Sequence, residues 1–94
     1  MYQVALERSH FPARTDQPLR DTTVGSVLRE AAATWPDRTA LVEADGAVTG
    51  RRWTFAELLG ESERLAGALL TRFQPGERVA IWAPNAPEWV VFEY

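Results

Sequence analysis

Ninety-four residues are enough for one small domain or part of one, and 46% hydrophobic with 24% charged residues is a globular composition rather than that of a disordered tail. A net charge of −3 gives nucleic acid or an anionic membrane no electrostatic attraction. All ten basic residues are arginine and there is no cysteine, so lysine chemistry, disulfides, thiolate nucleophiles and cysteine-based metal sites are excluded within this chain.

Residues 1–22 hold Pro12, Pro18 and several charges with no sustained period, and read as an irregular leader with one short extended piece near Tyr2–Leu6. Glu7 and Arg8 stand where a signal peptide needs its apolar core. No apolar run approaches the roughly 20 residues of a membrane-spanning helix, so the expected location is the cytoplasm. The first clear element begins at Thr23, a plausible N-cap. Val24, Val27, Leu28, Ala31, Ala32 and Trp35 then recur on one helical face. Gly25 is a weak spot near its start, and Pro36 ends the helix near Thr34.

"TALVEA" (39–44) reads as a strand, Asp45-Gly46 as a turn, and "RRWT" (51–54) as the returning strand of a hairpin. Thr54-Phe-Ala-Glu57 is a capping box launching a helix with apolar positions Phe55, Leu58, Leu59, Leu65, Ala66, Leu69 and Leu70. Pro75 and Gly76 end it after Phe73. "RVAIWA" (78–83) is a continuous apolar run of the kind that suits a parallel strand covered on both faces. Pro84 breaks it, and Asn85, with Glu88 three residues on, reads as the cap of a last helix. Strand, strand, helix, strand, helix is the order of an α/β fold. The 78–83 strand has few neighbours in this chain, and its bare edge would expose unpaired backbone groups. The last helix, about nine residues, is below the ~12–15 at which an isolated helix becomes marginal. The expectation is therefore an incomplete fold, with 23–94 as a partial α/β subdomain.

Few residues suggest chemistry. His10 is the only histidine and sits beside Ser9, but nucleophile and base are rarely sequence neighbours. "GESER" (60–64) has Arg64 where a nucleophile elbow needs glycine, and its Ser62 falls within a helix. The six glycines form neither a dinucleotide fingerprint nor a P-loop, and the acids are dispersed. The best ligand candidate is the helix start at Asn85, beyond the carboxyl end of a strand, where α/β sheets bind ligands and helix N-termini attract anions. The plainer reading is that Asn85 caps the helix and Glu88 complements its dipole. Trp35, Trp53, Trp82 and Trp89 each lie at or beside an apolar face and read as packing residues.

Three pieces in order, "WPDRTALV" (35–42), "RRWTFAEL" (51–58) and "GERVAIWAPNAPEWV" (76–90), resemble the N-terminal stretch of the AMP-forming acyl-CoA synthetases. The matching residues are Pro36, Asp37, Ala40, Trp53, Thr54, Phe55, Glu57, Leu58, Gly76, Arg78, Val79, Pro84, Asn85, Glu88 and Trp89. The likeness covers residues 23–94, and its Ala-Pro-Asn-Ala-Pro-Glu-Trp wording is most similar to the fatty-acid-activating branch.

This resemblance implies a ligase that converts a carboxylic acid and Mg·ATP to an acyl-adenylate, then to a thioester with coenzyme A. It also implies that ATP, Mg and coenzyme A are held by the remainder of the synthetase chain. The family's catalytic pieces, a Ser/Thr/Gly-rich loop ending in Lys, a Tyr-x-x-Thr-Glu element, a ribose-binding Asp and a C-terminal Lys, have no counterpart here. No catalytic, cofactor-binding or metal residue is therefore carried over. The resemblance implies the opening layer of the large acyl-adenylate-forming domain: helix, β-hairpin, helix, buried parallel strand and start of a helix, a fragment inert alone. Two alternatives stand beside it: an acyl-AMP ligase that loads a carrier protein, and a non-catalytic interaction module.

Overall fold

The first helix, α1 (Val24–Thr34), starts where the reading placed it. Thr23 is extended (φ −88°, ψ 158°), and its Oγ1 accepts from the Ser26 N–H at 3.1 Å, satisfying one of the helix's free donors. It ends as Trp35 leaves the helical region ahead of Pro36. These elements belong to a computed structural model that describes residue 7, residues 10–44 and residues 50–94. The extended piece near Tyr2–Leu6 and the Asp45-Gly46 turn lie outside the described residues. Residues 10–22 carry neither helix nor strand.

Strands β1 (Thr39–Val42) and β2 (Arg52–Thr54) pair antiparallel, with Thr39 opposite Thr54, Leu41 opposite Trp53 and Val42 opposite Arg52. The register slips between Thr39 and Leu41, leaving Ala40 as an extra residue, which is how a β-bulge twists a short hairpin. Helix α2 (Phe55–Leu70) follows β2 with no loop between them. Its capping box is complete: the Glu57 N–H donates to Thr54 Oγ1 at 3.1 Å, and the Thr54 N–H donates to Glu57 Oε2 at 2.8 Å. The two preceding donors are also satisfied, Phe55 N–H by the Arg38 carbonyl (3.0 Å) and Ala56 N–H by the Pro36 carbonyl (3.1 Å). The helix closes at Leu70, short of the expected Phe73. Thr71 and Arg72 bond back three residues, to Ala68 and Leu69, and tighten the last turn. Gly76 then turns the chain at φ 90°, a left-handed conformation that favours glycine.

α1 packs on α2, and the buried apolar residues among the described ones are Leu28 and Ala32 of α1, Leu58 of α2 and Pro87 ahead of α3. Helix α3 (Glu88–Glu93) leans on α2. At Gly25 an added Cβ would lie 3.4 Å from the Tyr94 carbonyl oxygen, an ordinary contact distance, so Tyr94 comes close to α1 without requiring the glycine.

Two expectations are met only in part. Among the described residues the sheet is the expected antiparallel hairpin alone, and residues 78–83 form no parallel strand beside it. A strand exists only through a partner's hydrogen bonds, and none of the described residues supplies one to this run. The tryptophans are not uniformly packing residues. Trp82 is 102% exposed and Trp35 about half exposed, whereas Trp89, at 37%, and Trp53 are mostly covered. Trp82 has nothing to pack against because its strand has no sheet. The radius of gyration, 18.2 Å, exceeds the ~12 Å of a compact domain of this length.

Thr54→Ala removes the hydroxyl half of the capping box and is expected to lower stability by about 1 kcal/mol. Urea unfolding followed by far-UV circular dichroism checks this. An unchanged midpoint would mean that the Arg38 and Pro36 carbonyls alone hold the helix start.

Candidate functional site

Asn85, on which the ligand hypothesis rests, is not placed as it requires. α3 starts at Glu88, with Pro87 in the cap position (φ −59°, ψ −27°) and no side-chain capping bond. Asn85 lies exposed two residues before that cap. The ring of Pro87 already holds the helical φ, so the helix begins after it and Asn85 neither caps it nor aims an N–H cluster at a ligand. Both the anion-site reading and the capping reading of Asn85 are thus corrected. The segment is pinned instead by Trp89, whose indole N–H donates to the Pro84 carbonyl at 2.9 Å.

His10 is exposed in a stretch without helix or strand, and Ser9 lies outside the described residues. Ser62 sits in α2, as expected of a helix residue rather than a nucleophile elbow. It is 5% exposed, and its Oγ finds no hydrogen-bond partner beside a small cavity of about 40 Å³ at the α1–α2 seam. No base reaches it, so this hydroxyl is a packing cost and not a nucleophile. Among the described residues no group of three or more His, Cys, Asp or Glu side chains could hold a metal ion.

The most organised polar cluster is one that the sequence reading did not single out. Arg51, just before β2, grips Glu43 with two nitrogens, Nε to Oε2 at 2.8 Å and NH2 to Oε1 at 3.1 Å. Its remaining nitrogen, NH1, donates to Glu88 Oε1 of α3 at 2.8 Å, and the guanidinium lies 5.2 Å from the Trp53 ring centroid. Hydrogen bonding to Arg51 holds both carboxyls below their ordinary values, and the two carboxylates raise the arginine. Opposite charges flanking a hairpin turn are a signal for the Glu43–Arg51 pair. Nothing local in the sequence ties either to Glu88. An open groove of about 430 Å³ runs beside this cluster, lined by Arg51, Trp53, Leu65, Glu88, Val91 and Phe92. A second, about 440 Å³, lies on the other side of α3 between Leu41, Val42, Asn85, Pro87 and Trp89. The guanidinium is already matched by two carboxylates, so the cluster offers no spare cation to an incoming phosphate.

Residues 28–94 match the model of the AMP-binding enzyme family, and the chain belongs to that family. It is 33% identical over 90 residues to the mitochondrial medium-chain acyl-CoA ligase ACSF2 of Danio rerio, covering 95% of this chain and 14% of that one. It is 36% identical over 78 residues to the long-chain-fatty-acid–CoA ligase of Bacillus subtilis, covering 82% of this chain and 13% of the other. A 3-[(3aS,4S,7aS)-7a-methyl-1,5-dioxo-octahydro-1H-inden-4-yl]propanoyl:CoA ligase of Rhodococcus jostii is 41% identical over 78 residues, 82% of this chain and 14% of its own. The chain thus spans about one seventh of the length of these curated relatives. No solved structure matches it significantly.

Ser62→Ala is expected to raise stability by about 1 kcal/mol, because it removes a buried hydroxyl without a partner and improves helix propensity. A rise in the urea midpoint checks this, and a fall would reveal a bond to the hydroxyl. The carboxyl shifts predict a pH effect. Glu43 and Glu88 are depressed in the folded chain, so their contribution is complete above the ordinary value of 4.5 and is lost as pH falls through the lower folded values. Carbon-detected NMR titration should place both midpoints below 4.5, and Arg51→Gln should return them towards it.

Proposed function

We propose that the chain is the N-terminal layer of an ATP-dependent, AMP-forming acyl-CoA synthetase that activates a fatty or related carboxylic acid through an acyl-adenylate. The observation that carries this reading is the family match over residues 28–94, together with similarity to relatives named as CoA ligases. Within it, residues 1–22 are a leader and 23–94 a partial α/β subdomain. The 78–83 run enters a parallel sheet with strands from the rest of the synthetase, which also covers Trp82. The half-exposed Val79 and fully exposed Trp82 support this placement.

The residues present do not fit Mg·ATP or coenzyme A. There is no lysine, Arg51 is matched by two carboxylates, and the described acids form no metal group. The remainder of the enzyme holds those groups, and no residue of this segment is assigned a catalytic part. Coenzyme A is preferred to a carrier protein as acyl acceptor because the relatives' names are those of CoA ligases. The reading places the enzyme in the cytoplasm. Among the described residues no helix is long and apolar enough to cross a membrane, while the vertebrate relatives are named as mitochondrial, and cell fractionation decides between the compartments.

The test uses the full-length product beside the 94-residue segment. Full-length protein should catalyse fatty-acid-dependent ATP–pyrophosphate exchange and form a thioester with coenzyme A, and the segment alone should match a mock preparation. Exchange by the segment would overturn its structural role. Transfer only to a loaded carrier protein would overturn the choice of acceptor. A native product no longer than 94 residues, identified with an antibody to the segment, would overturn the placement within a larger enzyme.

A further inference from the structure

α3 has little to hold it in place by itself. It is six residues long with no side-chain cap, far below the length at which a helix persists alone. One face leans on α2, but towards the hairpin it is flanked by the two open grooves rather than by a packed seam. Arg51 spans this gap. Its backbone is fixed to Glu43 by the Glu43 N–H to Arg51 carbonyl bond at 2.9 Å, and its side chain by the two-pronged grip on the same residue's carboxylate. Trp53 lies against the guanidinium. The fork is therefore already oriented before Glu88 arrives, and closing the contact orders only the glutamate side chain.

We propose that Arg51 is an ion-pair latch that sets the position of α3 against the hairpin, and through the Trp89–Pro84 bond the course of residues 84–87. All three side chains keep contact with solvent, with relative exposures of 53%, 28% and 56% for Arg51, Glu43 and Glu88. The latch is accordingly open to screening by salt, unlike the apolar packing of α3 on α2. It acts on the conformation of the chain, and does not depend on the acyl-CoA synthetase reading.

The test is hydrogen exchange by NMR at the α3 amides and the Trp89 indole N–H in the 94-residue chain. In the unmodified protein, raising sodium chloride from about 0.05 to 1 M should accelerate exchange there and leave α2 unchanged. Arg51→Met and Glu88→Gln should each speed α3 exchange about three- to fivefold at low salt and abolish its salt response. The double variant should be no faster than either single one, because both break the same contact. Glu88→Gln touches only the start of α3, so it carries the test if Arg51→Met disturbs the hairpin. Unchanged α3 exchange in Glu88→Gln, additive effects in the double variant, or an α3 unprotected in the unmodified protein would each overturn the latch.

Discussion

The start of α2 is the joint on which the arrangement depends. A helix leaves its first N–H groups without partners, and here three acceptors supply them: the Pro36 and Arg38 carbonyls from the turn after α1, and the Thr54 hydroxyl from the end of β2. The same Thr54 pairs with Thr39 at the beginning of β1. One short stretch of backbone thus fixes the exit of α1, the register of the hairpin and the direction of α2. This explains why "WPDRTALV" and "RRWTFAEL" occur together: the first provides acceptors that the second needs. With α2 set, α1 packs on it, and Leu58 is buried along with Leu28 and Ala32 in the small core.

That joint is strong in hydrogen bonds and poor in buried area. Leu28, Ala32 and Leu58 cannot provide the burial of a typical domain core, while Leu70, Val79, Trp82 and Phe92 remain in water. Each such side chain gains roughly 1.5–3 kcal/mol on full burial, so covering them would add stability that this layer lacks by itself. The layer is locally well specified and globally under-packed. A segment covering about one seventh of its relatives would have this balance if most of its packing partners lay elsewhere in the fold.

Legibility in the sequence followed the range of the interactions. The Thr23 cap, the Thr54–Glu57 capping box and the hairpin were readable because their signals lie within a few residues of one another. The 78–83 strand is not seen here because a parallel strand is a property of its neighbours, and an apolar run states only a preference. The Asn85 cap failed for a local reason: Pro87, two residues on, is better suited to the helix entry, and a rule keyed to Asn and Glu alone passed over it. The motifs carried the family membership, whereas the Arg51 cluster, joining residues 8 and 37 positions apart, had only its nearer half written locally.

The tryptophans show how this difference between local and distant specification acts on single residues. Trp53 is partly covered because β2, Arg51 and α2 surround it, all within the joint. Trp89 has its indole N–H satisfied by Pro84 although its ring is partly exposed, since a hydrogen bond needs one partner and ring burial needs many. Trp82 has neither, and it stands in the run whose backbone also lacks ladder partners. Backbone pairing and side-chain burial at that run are therefore one constraint: a strand that docked beside residues 78–83 would satisfy the backbone, and the layer carrying it would cover the indole.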